Sequence, residues 1–558
     1  MQPAIWISEI TFNDGTTINF QQDEIIVVVG PNNSGKSAML KEAHVCLRST
    51  NNPRKIISSI KFESFGTKQA VIELLKRYSK IHMSNDNPIP HLIGLGYSVY
   101  SAQLENQWDN SKNGFGDVAD FFTTSISTEK RLLAANPAQN INFLKDAAKH
   151  PISRLQRWRQ LEQRFNTYFQ RVFSKDLIVH RNYGSTVPLF VGKTPEGFEY
   201  HTEEYQVELE KQDLLHEQGD GMRSFVGILL TAAIEYISIL FIDEPEAFLH
   251  PPQARQLANL LINEIPGRKQ FWFATHSIDF LLGLLEAPGK KLKIVRIERE
   301  NNINKISSIS QTEIDLVWKD PLLRYSNILS GLFHDQVIIC EGDSDCRFYS
   351  AIFSTLDTTE PKPDTLFVHC GGKHRIPVVI KALSKLKVPV KVVADFDVLN
   401  NEFPLRTIIE DAGGEWNDFL KDWRTIKAAI DAKRPELQLK ELKEKIDAIF
   451  ATVETQIMPS QKLKEIKSEL NKASAWAHAK ESGKSFIPSG MATQAFERLS
   501  SNLKNLGIFI LENGQLESFD KSIGDHGPGW VNQVLMKDLV ADRALNDARD
   551  FVKEVMLR

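Results

Sequence analysis

Four cysteines, Cys46, Cys340, Cys346 and Cys370, are scattered through 558 residues without a CxxC pair. That scarcity argues against a thiolate zinc site or a disulfide framework and fits a reducing, cytoplasmic compartment. Basic charge is not in excess either. Lys and Arg number 67 against 71 Asp and Glu, a net charge of -4 with a pI near 6.4, so nucleic-acid binding has to come from local patches. The longest apolar run, Phe225 to Ile242, is interrupted by Glu235 and leads straight into Asp243-Glu244. It reads as a buried helix followed by a buried strand, and no membrane partner is expected. Met1 to Phe20 lacks the basic start and apolar core of a signal peptide. No internal repeat or low-complexity tract is evident. What the chain does have is 42% hydrophobic residues, ample for packed cores, and length for two to four domains.

Two motif groups carry chemistry. In the first, Ile25-Ile26-Val27-Val28-Val29 has the look of a buried parallel strand, and Gly30-Pro31-Asn32-Asn33-Ser34-Gly35-Lys36-Ser37 follows at once. Gly30 and Gly35 let the backbone of Asn32, Asn33 and Ser34 fold around phosphate oxygens, and the next helix presents its positive end. Lys36 is then expected at the β- and γ-phosphates of ATP, and Ser37 on Mg²⁺. Tyr236 to Pro245 is an apolar strand ending in two carboxylates, which suits Asp243 as a Mg²⁺ ligand and Glu244 as the group that polarises the attacking water. Gln270 to Ser277 gives another buried strand ending in a polar tip, where His276 is placed as a γ-phosphate sensor or as a structural histidine.

In the second group, Gln336 to Gly342 is a strand that ends in Glu341, and Val388 to Ala394 is a strand that ends in Asp395-Phe396-Asp397. Open α/β sheets gather ligands beyond the carboxyl ends of their strands. Strand alternation puts Asp395 and Asp397 on one side, facing a metal, with Phe396 packed behind. Mg²⁺ takes oxygen ligands and keeps several waters, which suits such a cluster.

The order of Lys36, Asp243-Glu244-Pro245-Glu246-Ala247-Phe248-Leu249-His250-Pro251 and Thr275-His276-Ser277 resembles the ABC/SMC-type ATPases. Within them it is similar to the overcoming-lysogenisation-defect (OLD) branch. The resemblance implies dimers in which each nucleotide is closed over by a signature loop of the other subunit. Gly219-Asp220-Gly221-Met222-Arg223-Ser224 is the matching loop, with Gly221 at the nucleotide; it departs from Leu-Ser-Gly-Gly-Gln by carrying Gly219 where a phosphate-facing hydroxyl is expected. The family's glutamine loop has no evident counterpart. The long stretch from the cradle to that loop implies an inserted, mainly helical lobe at about 45–205. Within it, Ser153 to Lys175 has helical spacing, and its Arg154, Arg157, Trp158, Arg159, Arg164 and Phe165 suit either DNA or a packed amphipathic helix.

Glu341-Gly342-Asp343-Ser344-Asp345, then Gly371-Gly372-Lys373, then Asp395-Phe396-Asp397 resembles the TOPRIM domain of topoisomerases, primases and OLD nucleases. It implies Glu341 in acid/base chemistry or as a ligand, and Asp345, Asp395 and Asp397 on metal, Mg²⁺ or Mn²⁺, for phosphodiester cleavage. Either Glu512 or Glu517 completes a second metal site. Lys373, ahead of Lys484 and Lys521, is the candidate for stabilising the pentacovalent phosphate, with His374 and Arg375 beside it either positioning phosphate or capping a helix; His526-Gly527-Pro528-Gly529-Trp530 resembles a substrate-facing loop. The expected fold is therefore α/β: an ABC/SMC-like P-loop ATPase domain at 1–325, and a TOPRIM domain with a parallel sheet at 326–558, interrupted by a helical insertion at about 405–485.

The function implied is an ATP-dependent, metal-dependent DNA endonuclease that forms homodimers or higher oligomers. Relatives of this kind often serve in defence against phage, some beside a UvrD-like helicase or a reverse transcriptase with its small DNA. Two further readings stand beside it: an ATP-gated DNA clamp or sensor with a silent TOPRIM domain, and an effector nuclease that acts only when a partner complex releases it.

Overall fold

The computed structural model describes residues 2–84, 87–109, 111–200, 202–265, 268–287, 291–301, 303–320, 327–357, 361–433, 439–453, 457–471 and 474–557. The chain divides into two units, Met1–Trp318 and Lys319–Arg558. The expected boundary at 325/326 lies outside the described residues.

The first unit is organised by a six-stranded sheet, in the order Ile303–Ile309, Leu292–Glu300, Ile25–Val29, Gln270–Ala274, Ile239–Asp243, Thr123–Ile126. Its first pair is antiparallel and the rest are parallel. The three central strands are apolar almost throughout because helices cover both faces of such a sheet, and Ile25–Val29 and Gln270–Ala274 are buried at every position. Phe225 to Ile242 resolves as anticipated into the end of the helix Asp220–Ala232 and the start of the strand Ile239–Asp243.

The stretch 45–205 is less purely helical than its spacing suggested. Ile57–Phe65 pairs with Ala4–Phe12, and Thr123–Ile126 forms the edge of the central sheet. Both strands complete sheets begun elsewhere, so tertiary pairing decides their state. The amphipathic segment forms Ile152–Arg157 and Arg159–Phe173, separated at Trp158, with Phe165, Tyr168 and Phe169 buried. Arg154 is buried, whereas Arg157, Arg159 and Arg164 are exposed. Arg159 lies over the Tyr200 ring at 4.3 Å, Arg164 donates to the Glu264 carbonyl at 3.0 Å, and Arg154 donates to the Ala233 carbonyl at 2.9 Å.

The second unit holds a four-stranded parallel sheet, in the order Thr365–His369, Gln336–Cys340, Val390–Ala394, Ile508–Ile510. Phe348, Trp530 and Phe509 are wholly buried in its core. The helices Glu402–Asp411, Trp416–Asp431, Leu439–Ala451, Ser460–Asn471 and Ala475–Ser482 lie between the third and fourth strands. None of the described helices is long and apolar enough to cross a membrane.

Candidate functional site: a nucleotide cradle and an acid cluster

The cradle is built by close backbone approach. A Cβ on Gly30 would lie 2.0 Å from the Ile297 carbonyl oxygen, and Gly35 sits at φ 106 with Ile56 Cδ1 2.8 Å from where its Cβ would be. Both positions therefore demand glycine. Asn33 adopts φ 61, and Asn304 braces the loop by donating to the Ser34 carbonyl at 2.6 Å. The helix Lys36–Arg48 starts directly from Gly35, so its free amides open toward the loop. The buried Ser34 Oγ has no hydrogen-bond partner, which leaves a donor in the loop for an anion. Lys36 Nζ donates to the Gly30 and Pro31 carbonyls at 2.8 and 2.6 Å. Burial pushes the Lys36 ammonium down to about 8, against the pull of Glu244, Asp243 and Glu246.

Neighbouring parallel strands deliver the other groups. Ser37 Oγ donates to Asp243 Oδ1 at 2.8 Å, so the two expected Mg²⁺ ligands meet. Glu244 holds a left-handed φ of 47, its amide donating to the Ala274 carbonyl at 2.8 Å. Its carboxylate lies 3.9 Å from His276 Nε2. Burial, then the charge of Lys36, lower the His276 imidazole from its ordinary value. Glu246, raised by burial, accepts from the His276 amide at 2.8 Å and fixes that turn. Gly221 stands elsewhere, in the first turn of Asp220–Ala232, where a Cβ would come 2.7 Å from the Phe248 carbonyl oxygen. The strand Thr123–Ile126, beside the Asp243 strand, leads through Ser127 into the helix Thr128–Leu133, which carries Arg131. No motif surrounds Arg131, so nothing in the sequence marks it.

In the second unit Glu341, Asp395 and Asp397 each bring a carboxylate oxygen within 4.8 Å of the others. Asp395 follows the strand Val390–Ala394, but Asp397 lies in the 3₁₀ turn Phe396–Asn400. A tight turn, and not strand alternation, therefore joins the pair; Phe396 is buried behind them as anticipated. Burial, then Asp395 and Asp397, push the Glu341 carboxyl up to about 7. Burial, then Asp395, push Asp345 up to about 6, while Asp345 Oδ2 accepts from the Gly342 amide at 2.7 Å at the start of Asp343–Thr355. The donor set is all carboxylate and crowded enough to hold protons, which fits a hard divalent cation. Asp397 Oδ1 is buried with no hydrogen-bond partner, an acceptor left open to such an ion.

Two lysines face this cluster. Lys373 Nζ donates to Asp397 Oδ2 at 2.8 Å. Lys480 Nζ lies 2.8 Å from Asp395 Oδ2 and 3.9 Å from Asp397 Oδ1, and those acids hold it charged. No motif marks Lys480, which stands in the last turn of Ala475–Ser482 within the insertion, where lysines are common. Lys484 pairs at 3.4 Å with Glu497 and at 3.8 Å with Glu512. Glu512 is also drawn to Lys504 at 3.4 Å. Glu517 is the acid whose charge reaches Asp345 and Asp395, and it accepts from the Gly527 amide at 2.8 Å. Lys521, His374, Arg375 and His526 are exposed.

Residues 25–283 match the family model described as "AAA domain, putative AbiEii toxin, Type IV TA system", and residues 332–397 match the overcoming lysogenization defect protein-like TOPRIM domain. The curated relatives include the Old nuclease of Escherichia phage P2, 23% identical over 171 residues, which are 29% of this chain and 28% of that protein. The chain is homologous to OLD nucleases. A second relative, the OLD nuclease of Thermus scotoductus, is 27% identical over 194 residues, 33% of this chain and 36% of its own length. The chain thus matches about a third of the length of these OLD nucleases. Among solved structures, the SMC head domain from Thermotoga maritima is 16% identical, with 56% of this chain and 100% of that one covered and a TM-score of 0.29. The OLD-like TOPRIM match contains Glu341, Asp345, Lys373, Asp395 and Asp397; Lys480 and Glu517 lie beyond it.

Proposed function

We propose that this chain binds and hydrolyses ATP at the Gly30–Ser37 cradle and cleaves DNA by phosphodiester hydrolysis at Glu341, Asp395 and Asp397, with the ATPase regulating cleavage. The observation that carries the nuclease reading is the convergence of three carboxylates from two adjacent strand ends, with Asp397 Oδ1 left open. Glu341, Asp395 and Asp397 would hold Mg²⁺ or Mn²⁺, with Asp345 and Glu517 at an adjacent position. Such an ion, when bound, polarises the phosphate and lowers the pKa of its water. Lys480 and Lys373 bring positive charge to offset what develops on the phosphate in the transition state. At the cradle, Lys36 and the loop amides bind the phosphates, Ser37 and Asp243 would hold Mg²⁺, Glu244 orients and deprotonates water, and neutral His276 hydrogen-bonds the γ-phosphate. Gly221 serves the nucleotide of a second copy in a homodimer. The working domains are 1–325 and 326–558, and the setting is defence against phage.

A second reading is favoured by one observation: Lys480 on Asp395 and Lys373 on Asp397 neutralise the cluster. Such a cluster suits a nuclease held silent until DNA or a partner draws the lysines away. Calorimetric titration of Mn²⁺ into the full chain tests the site common to both readings. Binding lost in Asp397→Ala, with ATP binding retained, is the expected result; Mn²⁺ binding unchanged in that variant would refute the assignment.

A further inference from the structure

We propose that Arg131 is a positioning residue for ATP hydrolysis: it holds the Glu244 peptide in its left-handed conformation and ties that conformation to the helix Asp220–Ala232. The inference rests on the ATPase reading of the cradle.

Arg131 is wholly buried, and a buried guanidinium is costly unless its donors are used. Both terminal nitrogens are used, Nη1 on the strand end that carries the catalytic acids, while Nε is buried without a hydrogen-bond partner. Nη1 donates to the Glu244 carbonyl at 2.7 Å and reaches the Asp243 carbonyl at 3.5 Å, and Nη2 donates to Thr128 Oγ1 at 2.8 Å. Glu244 is thus gripped at both ends, its amide by the Ala274 carbonyl and its own carbonyl by Arg131. A glutamate at φ 47 pays about 1–3 kcal/mol for a conformation that persists only where its surroundings over-determine it. Without the guanidinium the peptide is free to return to negative φ. That rotation swings the carboxylate away from His276 and the cradle.

The second contact gives Arg131 its reach. A Cβ on Gly227 would fall 1.9 Å from the Arg131 carbonyl oxygen, so the Asp220–Ala232 helix lies directly on the Arg131 backbone, an approach only glycine permits. Arg223 of the same helix reaches Asn136 Oδ1 at 3.5 Å. This is the helix that starts with the Gly219–Ser224 loop. A shift of the helix moves Arg131, and Arg131 moves Glu244, so hydrolysis is sensitive to what that loop touches.

The test is steady-state ATP hydrolysis by the full chain for wild type, Arg131→Met, Arg131→Lys and Thr128→Val, each also in a Glu244→Gln background. Arg131→Met is expected to lower kcat by roughly 10- to 100-fold, the scale of a misplaced catalytic group, with the KM for ATP within about threefold. Arg131→Lys restores part of kcat, and Thr128→Val lowers it by a few-fold. In the Glu244→Gln background Arg131→Met has little further effect, because both changes remove one function. Wild-type kcat in Arg131→Met overturns the inference, as does an equal loss in both backgrounds, which marks a merely structural role. Should Arg131→Met fail to fold, Arg131→Lys and Thr128→Val carry the same comparison. A wild-type chain that hydrolyses no ATP overturns the ATPase reading itself.

Discussion

The nucleotide cradle and the acid cluster both lie where parallel strands end, and they meet charge in opposite ways. The cradle offers an anion loop amides, one lysine and a helix start, and its hydroxyl and carboxylate, Ser37 and Asp243, already meet at 2.8 Å. The cluster buries Glu341 and crowds it with Asp395 and Asp397 until it is pushed up to about 7, and it sets Lys480 and Lys373 against two of the three acids. The first region is built by backbone geometry, the second by side-chain charge. A backbone site tolerates side-chain changes except at its glycines, lysine and acids, whereas a charge-built site responds to pH and to every neighbouring ion.

The largest expected effects separate the two regions. Asp395→Ala is expected to reduce metal-dependent DNA cleavage by about 10²–10³-fold or more while ATP hydrolysis continues, as followed by gel and by phosphate release. Loss of both activities together would merge the sites that this comparison keeps apart. Lys36→Ala should abolish nucleotide binding, measured with a fluorescent ATP analogue, and its cleavage rate gives the sign of coupling: a rise means that ATP restrains the nuclease, a fall that ATP licenses it. By linkage, DNA then changes ATP affinity by the same factor that ATP changes DNA affinity.

A smaller effect is the pH response of the cluster. A carboxyl raised in the folded state keeps its proton more tightly there, so the metal-free second unit loses stability as pH rises from 4.5 through about 7. Metal has to displace that proton, so Mn²⁺ affinity should rise with pH by up to about tenfold per unit and level off above about 7. Because Lys480 lowers Glu341, Lys480→Met should shift the levelling point upward; an unchanged profile would remove Lys480 from the site.

Contiguity decides how much of this was legible in the sequence. Gly30 to Ser37 form one loop, and Asp243-Glu244 and His276 fall at the ends of plainly apolar strands, so their meeting follows from the order of strand and helix alone. Glu341 and Asp395 were legible for the same reason. Asp397 was expected beside Asp395 through strand alternation, and a 3₁₀ turn brings it there instead. Lys480 and Arg131 were not legible because each comes from a helix without a motif, brought in by tertiary packing. The strands at Ile57–Phe65 and Thr123–Ile126 were hidden likewise, their partners being distant in the chain.

The choice between Glu512 and Glu517 gives the smallest predicted effect. Glu512 is engaged by Lys504 and Lys484, whereas the charge of Glu517 reaches Asp345 and Asp395. Glu517→Gln should weaken cleavage at limiting Mn²⁺ by about tenfold, the scale of a lost supporting ligand, and Glu512→Gln should be near neutral. The reverse order would move the second metal position to the Glu512 side.

The central claim is tested most directly by incubating supercoiled, linear and single-stranded DNA with purified protein and Mg²⁺ or Mn²⁺, with and without ATP, beside an Asp395→Ala/Asp397→Ala control. Cleavage by the wild type and none by the control is the predicted result. Equal cleavage by both proteins would contradict the account.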